Sequence, residues 1–324
     1  MKHTVSVTLI MVMIFFLSQV IGLYALNANI SGVVQTPGGE VIVEHADTAI
    51  GERPPIEGIE TFAYILVAVL IGTGLILLMV RFKKTNVWKG MFFFAVWMTC
   101  SITLGVFIDP ILAFVACAVL AFFKVFRPNI YVHNFTELFI YAGIALIFVP
   151  LLDIVWVSLL LLAISAYDMF AVWKSKHMIS LAKFQTSTRA FAGVMLSYKV
   201  KVQASAAKAM VKSKGAKGKT KPSRVSAQKV EKEENRNAIL GGGDIAFPLI
   251  FAGVVMDAMI QASVSKTAAF LYSLVIPVTV AIALFALLAF AKKDRFYPAM
   301  PFLSAGCFAG YAIIWLVTSV GLIP

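Results

Sequence analysis

The sequence predicts an all-α, polytopic membrane protein with nine transmembrane helices, and three observations carry that expectation. Sixty per cent of the 324 residues are hydrophobic and only 14% charged, with a mean hydropathy of +0.89, too apolar and too charge-poor for a water-soluble globule. Nine apolar runs approach the roughly 20 residues that a spanning helix needs. The charges are segregated, with 16 of the 28 Lys and Arg lying between Lys174 and Arg236. That segregation sets aside nucleic-acid binding as an explanation of the +12 net charge and makes the basic stretch a topology determinant that touches anionic lipid.

The first run, Val5 to Leu26 after Lys2, is longer than the 7–15 residues of a signal-peptide core and is taken as a retained helix. Asn27 to Glu60 is polar, acidic and rich in Pro and Gly, and reads as loop or short hairpin. Spans follow at Thr61 to Val80, Val87 to Ile108 and Pro110 to Phe126, the last two separated by a tight turn at Asp109. Phe135 to Leu152 and Ile154 to Trp173 are separated in the same way by Asp153. These six spans make an N-terminal part, residues 1–173.

Residues 174–237 read as a basic, largely disordered loop. Its first half holds Phe184, Phe191, Val194, Met195, Leu196 and Tyr198, and is expected to lie on the membrane surface as an amphipathic helix. A C-terminal part, residues 238–324, supplies three spans at Ile239 to Ile260, Ala268 to Ala291 and Phe302 to Ile323. No internal repeat supports an inverted-repeat transporter.

Orientation follows from counting Lys and Arg near span ends. With Lys2 cytoplasmic, 26 of the 28 fall on the cytoplasmic side and only Arg53 and Lys266 outside. The N-terminus and the 174–237 loop are then cytoplasmic and the C-terminus extracytoplasmic.

Two aspartates lie within apolar runs, Asp168 in Ser165-Ala166-Tyr167-Asp168-Met169-Phe170 and Asp244 after Leu240-Gly241-Gly242-Gly243. A charge at mid-bilayer costs roughly 2.5 kcal/mol or more, so each marks a functional site with a partner to be found. The two runs are consecutive and antiparallel, which lets both carboxyls reach a similar depth. Close carboxyls share one proton, and such a pair can activate water as base and protonate a leaving amine as acid. Gly241 and Gly243 permit close packing and a departure from helix before Asp244. Pro248 removes one helical hydrogen bond. Tyr167 offers a phenol to the pair or to substrate, although neighbouring helical residues point about 100° apart. Tyr297-Pro298-Ala299-Met300-Pro301 interrupts regular helix before the last span, a break tolerated in a membrane where it lines a cavity.

A Tyr-Asp pair in one span, Gly-x-Gly-Asp before the next and a Pro-Ala-Leu-like motif opening the last resemble the presenilin and signal peptide peptidase family of intramembrane aspartyl proteases. The resemblance implies a presenilin-like nine-helix plan, with Asp168 and Asp244 as the catalytic pair. Pro298, Ala299 and Met300 match Pro-Ala-Leu, with Met300 in place of leucine as a volume-conserving change, and Gly242 fills the variable position. Tyr167, Gly241, Gly243 and Pro298 to Pro301 are then expected to contact substrate. The cytoplasmic loop between the aspartates is similar to the presenilin branch, in an archaeal or bacterial-type homologue, while Asp244-Ile245-Ala246-Phe247-Pro248 is also similar to the peptidase branch. Substrates would be transmembrane helices of other proteins, with no metal or organic cofactor. A homo-oligomer is left open.

Weaker signals are set beside these. Asp109, Asp153 and Asp257 read as solvated or interfacial. His3, His45, His133 and His177 are scattered, with no H-E-x-x-H, and no Gly-x-Ser-x-Gly elbow exists. Cys100, Cys117 and Cys307 have neither disulfide nor zinc spacing and read as small core residues. A proton-coupled transporter using the same aspartates, and a non-enzymatic scaffold, are the alternatives.

Overall fold

The computed structural model describes residues 5–175, 190–204 and 230–319, apart from 37, 39, 40, 54, 83 and 292–296, together with Phe184 and Thr188. Helix α1 (Val5–Asn29) leads into an antiparallel hairpin of β1 (Ile30–Gln35) and β2 (Val41–His45). Helices α2 (Ile59–Phe82), α3 (Thr85–Leu104), α4 (Pro110–Phe126), α5 (Ile130–Phe148) and α6 (Ile154–Met169) follow. A second antiparallel pair, β3 (Gly193–Ala204) and β4 (Val230–Gly241), precedes α7 (Gly243–Gln261). The chain then continues through α8 (Lys266–Ser273), α9 (Val275–Phe290) and α10 (Met300–Ser319).

Eight of these segments are long and apolar enough to cross a membrane, with α8 and α9 acting as one run, Lys266–Phe290. The ninth, α4, has 17 residues and rises about 26 Å, slightly short of the roughly 30 Å hydrocarbon core.

The turns between spans are built by capping side chains that satisfy the free N–H groups at helix starts. Asp109 accepts from Ile111 and Leu112 at the start of α4, where Pro110 needs no partner. Asn129 accepts from Tyr131 at the start of α5, and Asp153 from Trp156 at the start of α6. The expected turn roles of Asp109 and Asp153 thus take a definite form.

Helix α7 sits at the centre: 78% of its apolar window is buried, against 6% for α2. It packs against α1, α5, α6 and α10, so the segment that starts at Asp244 is enclosed by protein and α2 faces outward. Cys100, Cys117 and Cys307 are buried within helices, as expected of core residues.

Three expectations are corrected. Residues 193–204 form a strand and not an amphipathic helix, paired in register from Gly193 opposite Gly241 to Ala204 opposite Val230. The strand also replaces expected disorder over part of 174–237, while the Lys-rich residues 205–229 lie outside the described residues. Because β4 runs to Gly241, the span expected from Ile239 begins as helix only at Gly243. Alternation of Tyr198, Val200 and Val202 with polar Lys199 and Lys201 is the period-2 signal of that strand; β4, with Glu231-Lys232-Glu233-Glu234, carries none and exists by pairing.

Asp257 is the third correction. It is buried near the far end of α7, and its Oδ2 lies 2.8 Å from His45 Nε2 at the end of β2. One oxygen of the enclosed carboxylate is thus partnered by the hairpin that folds over it rather than by solvent.

Candidate active site

Asp168 is the penultimate residue of α6, after which the chain widens into a π turn, Phe170–Ser175, an irregularity frequent at functional sites. Its side chain is buried, and its Oδ2 accepts a 3.1 Å hydrogen bond from the backbone N–H of Met300. The backbone of Ala299 lies beside the same carboxylate. Met300 is the first residue of α10, so Asp168 satisfies an N–H group that a helix start otherwise leaves unpaired and meets the positive end of the helix dipole.

The proline motif explains why that helix start is available. Pro298 holds the chain out of helix, Ala299 O receives the first turn's bonds from Phe302 and Leu303, and Pro301 sits where its missing N–H costs nothing. The break in helix expected here leaves the Met300 N–H free to be aimed at a carboxylate. Ser165 Oγ and Ser304 Oγ, 2.8 Å apart, tie α6 to α10 one turn deeper.

Asp244 stands in the first turn of α7, where the dipole again favours negative charge. Its carboxylate lies against the backbone of Gly241, and it is within electrostatic range of Asp168. Helices α6, α7 and α10 pack on one another pairwise. The two aspartates and the proline motif are therefore brought together from three separate stretches.

The three glycines divide differently from expectation. A Cβ on Gly241 would stand 3.1 Å from Asp244 Oδ2, and one on Gly242 3.0 Å from the Tyr141 ring and hydroxyl, whereas one on Gly243 would make ordinary contact with Phe247 at 3.6 Å. Close approach is required at the first two. Helix α7 continues unbroken through Pro248, and Gln19 of α1, fully buried, donates its Nε2 to Ile245 O at 2.8 Å in the same turn. Tyr167 turns its hydroxyl to Thr73 Oγ1 on α2, at 3.0 Å.

Sequence reasoning missed a buried polar cluster beside this site. Lys124, counted above as a cytoplasmic charge, is fully buried and bonded to Glu137, which also accepts from the Tyr141 hydroxyl. The available signal was a lysine and a glutamate each placed inside an apolar run.

A protein-family model described as signal-peptide peptidase, presenilin aspartyl protease matches residues 40–320. The chain belongs to this family. It is accordingly an intramembrane aspartyl protease, a multi-pass membrane hydrolase acting on membrane proteins within the bilayer, and neither the transporter nor the scaffold alternative receives support. Two solved structures of a presenilin family intramembrane aspartate protease share its fold. One, in a P2 space group, has 18% sequence identity and a TM-score of 0.55, covering 95% of this chain and 96% of that one. The other, in a C222 space group, has 16% identity and a TM-score of 0.55, covering 96% and 99%. No curated protein sequence matches this family member. The presenilin-like helical plan expected from the motifs is thereby borne out.

Proposed function

We propose that Asp168 and Asp244 are the catalytic pair of this protease. The observation that carries the reading is the Met300 N–H to Asp168 hydrogen bond, which joins the first aspartate to the proline motif while Asp244 lies in electrostatic range. One carboxylate takes a proton from water as its oxygen attacks the scissile carbonyl carbon. The other, protonated, donates to the carbonyl oxygen; as the C–N bond breaks, the first carboxyl passes the proton it took from water to the departing amide nitrogen, and the second recovers its own as the new carboxyl group forms. The pair titrates as a unit, so neither role belongs permanently to one residue. No metal or organic cofactor enters these steps.

Substrate reaches the pair as an extended segment. Gly241 and Gly243 leave the backbone before Asp244 without side chains, and Pro298, Ala299, Met300 and Pro301 form the opposing wall, with Tyr167 at the margin. The edge of β3 that faces away from β4 is engaged by α5, whereas among the described residues no strand pairs with the other edge of β4. An unwound transmembrane segment adding along β4 arrives at Asp244 with its backbone bonds satisfied.

The N-terminus and the 174–237 loop are cytoplasmic in this reading. Removing buried Lys124 from the count leaves the charge bias intact.

Cleavage of a single-span substrate by purified protein in lipid, measured against pH, tests the mechanism. Activity falls on both sides of an optimum, because full protonation and full ionisation of the pair each remove one role. A rate that keeps rising into alkali contradicts it.

A further inference from the structure

Lys124 and Glu137 face each other inside α4 and α5, both fully buried. A charge pair enclosed in apolar spans is expensive and adds little to stability when hydrophobic residues could fill the space. What the pair is joined to gives it a use. Glu137 Oε2 accepts the backbone N–H of Gly193 at 3.0 Å as well as the Tyr141 hydroxyl. His133 Nε2 lies 2.8 Å from Gly193 O. Asn134 engages Met195 twice, donating Nδ2 to its carbonyl at 2.8 Å and accepting its N–H at 3.0 Å.

One face of α5 thus satisfies the outer edge of β3 group by group, as a neighbouring strand would. The held residue, Gly193, is paired with Gly241, and the next link, Gly242 N–H to Ala192 O at 3.2 Å, falls two residues before Asp244. The ring of Tyr141 rests on Gly242 itself. Gly193 has φ +142°, and a Cβ there would stand 2.2 Å from Leu240 O, so the strands meet at van der Waals limit where the grip is applied.

We propose that Glu137, with His133 and Asn134 one turn before it, positions Asp244 by clamping the β3–β4 hairpin to α5. Lys124 occupies Oε1 of Glu137, and Oε2 takes the Gly193 N–H and the Tyr141 hydroxyl. The inference rests on the reading of Asp244 as catalytic. None of the three touches the reacting atoms; they act through the Gly241–Gly243 turn.

The test compares two double variants of equal charge, K124M/E137Q and K124M/E137L. Both remove the buried pair, and only the first retains an acceptor for Gly193 and Tyr141. The glutamine variant keeps kcat close to wild type, whereas the leucine variant, at matched thermal stability, loses about tenfold or more in kcat with KM little changed. Amide hydrogen exchange over 193–195 and 240–242 accelerates in the leucine variant alone. Equal kcat and equal exchange in the two overturn the proposal and confine Glu137 to neutralising Lys124. Should the leucine variant fail to fold, N134L, which leaves every charge in place, is required to accelerate the same exchange and lower kcat, and an unchanged N134L overturns the proposal. An inactive wild type counts against the catalytic reading instead, and the exchange measurement still decides whether α5 holds the turn.

Discussion

The Met300 backbone N–H donates to Asp168 Oδ2 at 3.1 Å, so a side chain at the end of α6 caps a helix that begins 132 residues later. The bond gives Asp168 a structural duty beside the proposed catalytic one, and the two are separable by choice of substitution. Asp168→Asn keeps an acceptor oxygen, so thermal stability stays near wild type while cleavage is lost. Asp168→Ala removes the cap and costs about 1 kcal/mol in addition. Thermal unfolding in detergent distinguishes them, and equal stability in both variants contradicts the capping role.

The glycines before Asp244 are predicted to differ. Gly243→Ala has room and adds helix propensity, so stability is unchanged or gains up to about 1 kcal/mol. Gly242→Ala presses on the buried Tyr141 ring and lowers stability. Gly241→Ala presses on the Asp244 carboxylate and lowers kcat more than stability. Unfolding and cleavage measured on the three single variants check the order.

His45 and Asp257 hold the β1–β2 hairpin to the opposite end of the helix that carries Asp244. Thirteen residues of helix put roughly 20 Å between the two aspartates. Asp257→Ala leaves a buried histidine without its partner and destabilises the protein by about 1–3 kcal/mol. At temperatures where the variant is folded, kcat remains within about twofold of wild type, since nothing at the proposed site moves. A selective loss of kcat would tie this latch to the chemistry.

Orientation yields its own prediction. A cysteine introduced at Ser213 is labelled by a membrane-impermeant reagent only from the cytoplasmic face, and one at Ser31 only from the opposite face. Reversed labelling would overturn the positive-inside assignment while leaving the fold untouched.

Spans and turns were legible because their causes are local. Pro110–Phe126 begins at a proline whose preceding Asp109 caps it, and its start was readable from those residues. The β3–β4 hairpin was hidden because β4 is polar and takes its form from a partner 26 residues or more away in sequence. The two aspartates and the Pro298–Pro301 stretch stood out as polar or irregular residues in apolar runs. Their meeting through a backbone N–H did not, since it depends on how α6 and α10 pack. Glu137 escaped for the opposite reason: counted residue by residue, a buried lysine looks like a loop charge, and only its partner on the next helix reveals it as a link to β3.

The central claim is that Asp168 and Asp244 together perform the hydrolysis, and the most direct test is cleavage of a single-span substrate by wild type, Asp168→Asn and Asp244→Asn in the same lipid. The account predicts that wild type cleaves and that each single variant, folded to the same extent, loses at least about a thousandfold in kcat. Cleavage surviving in either variant would contradict it.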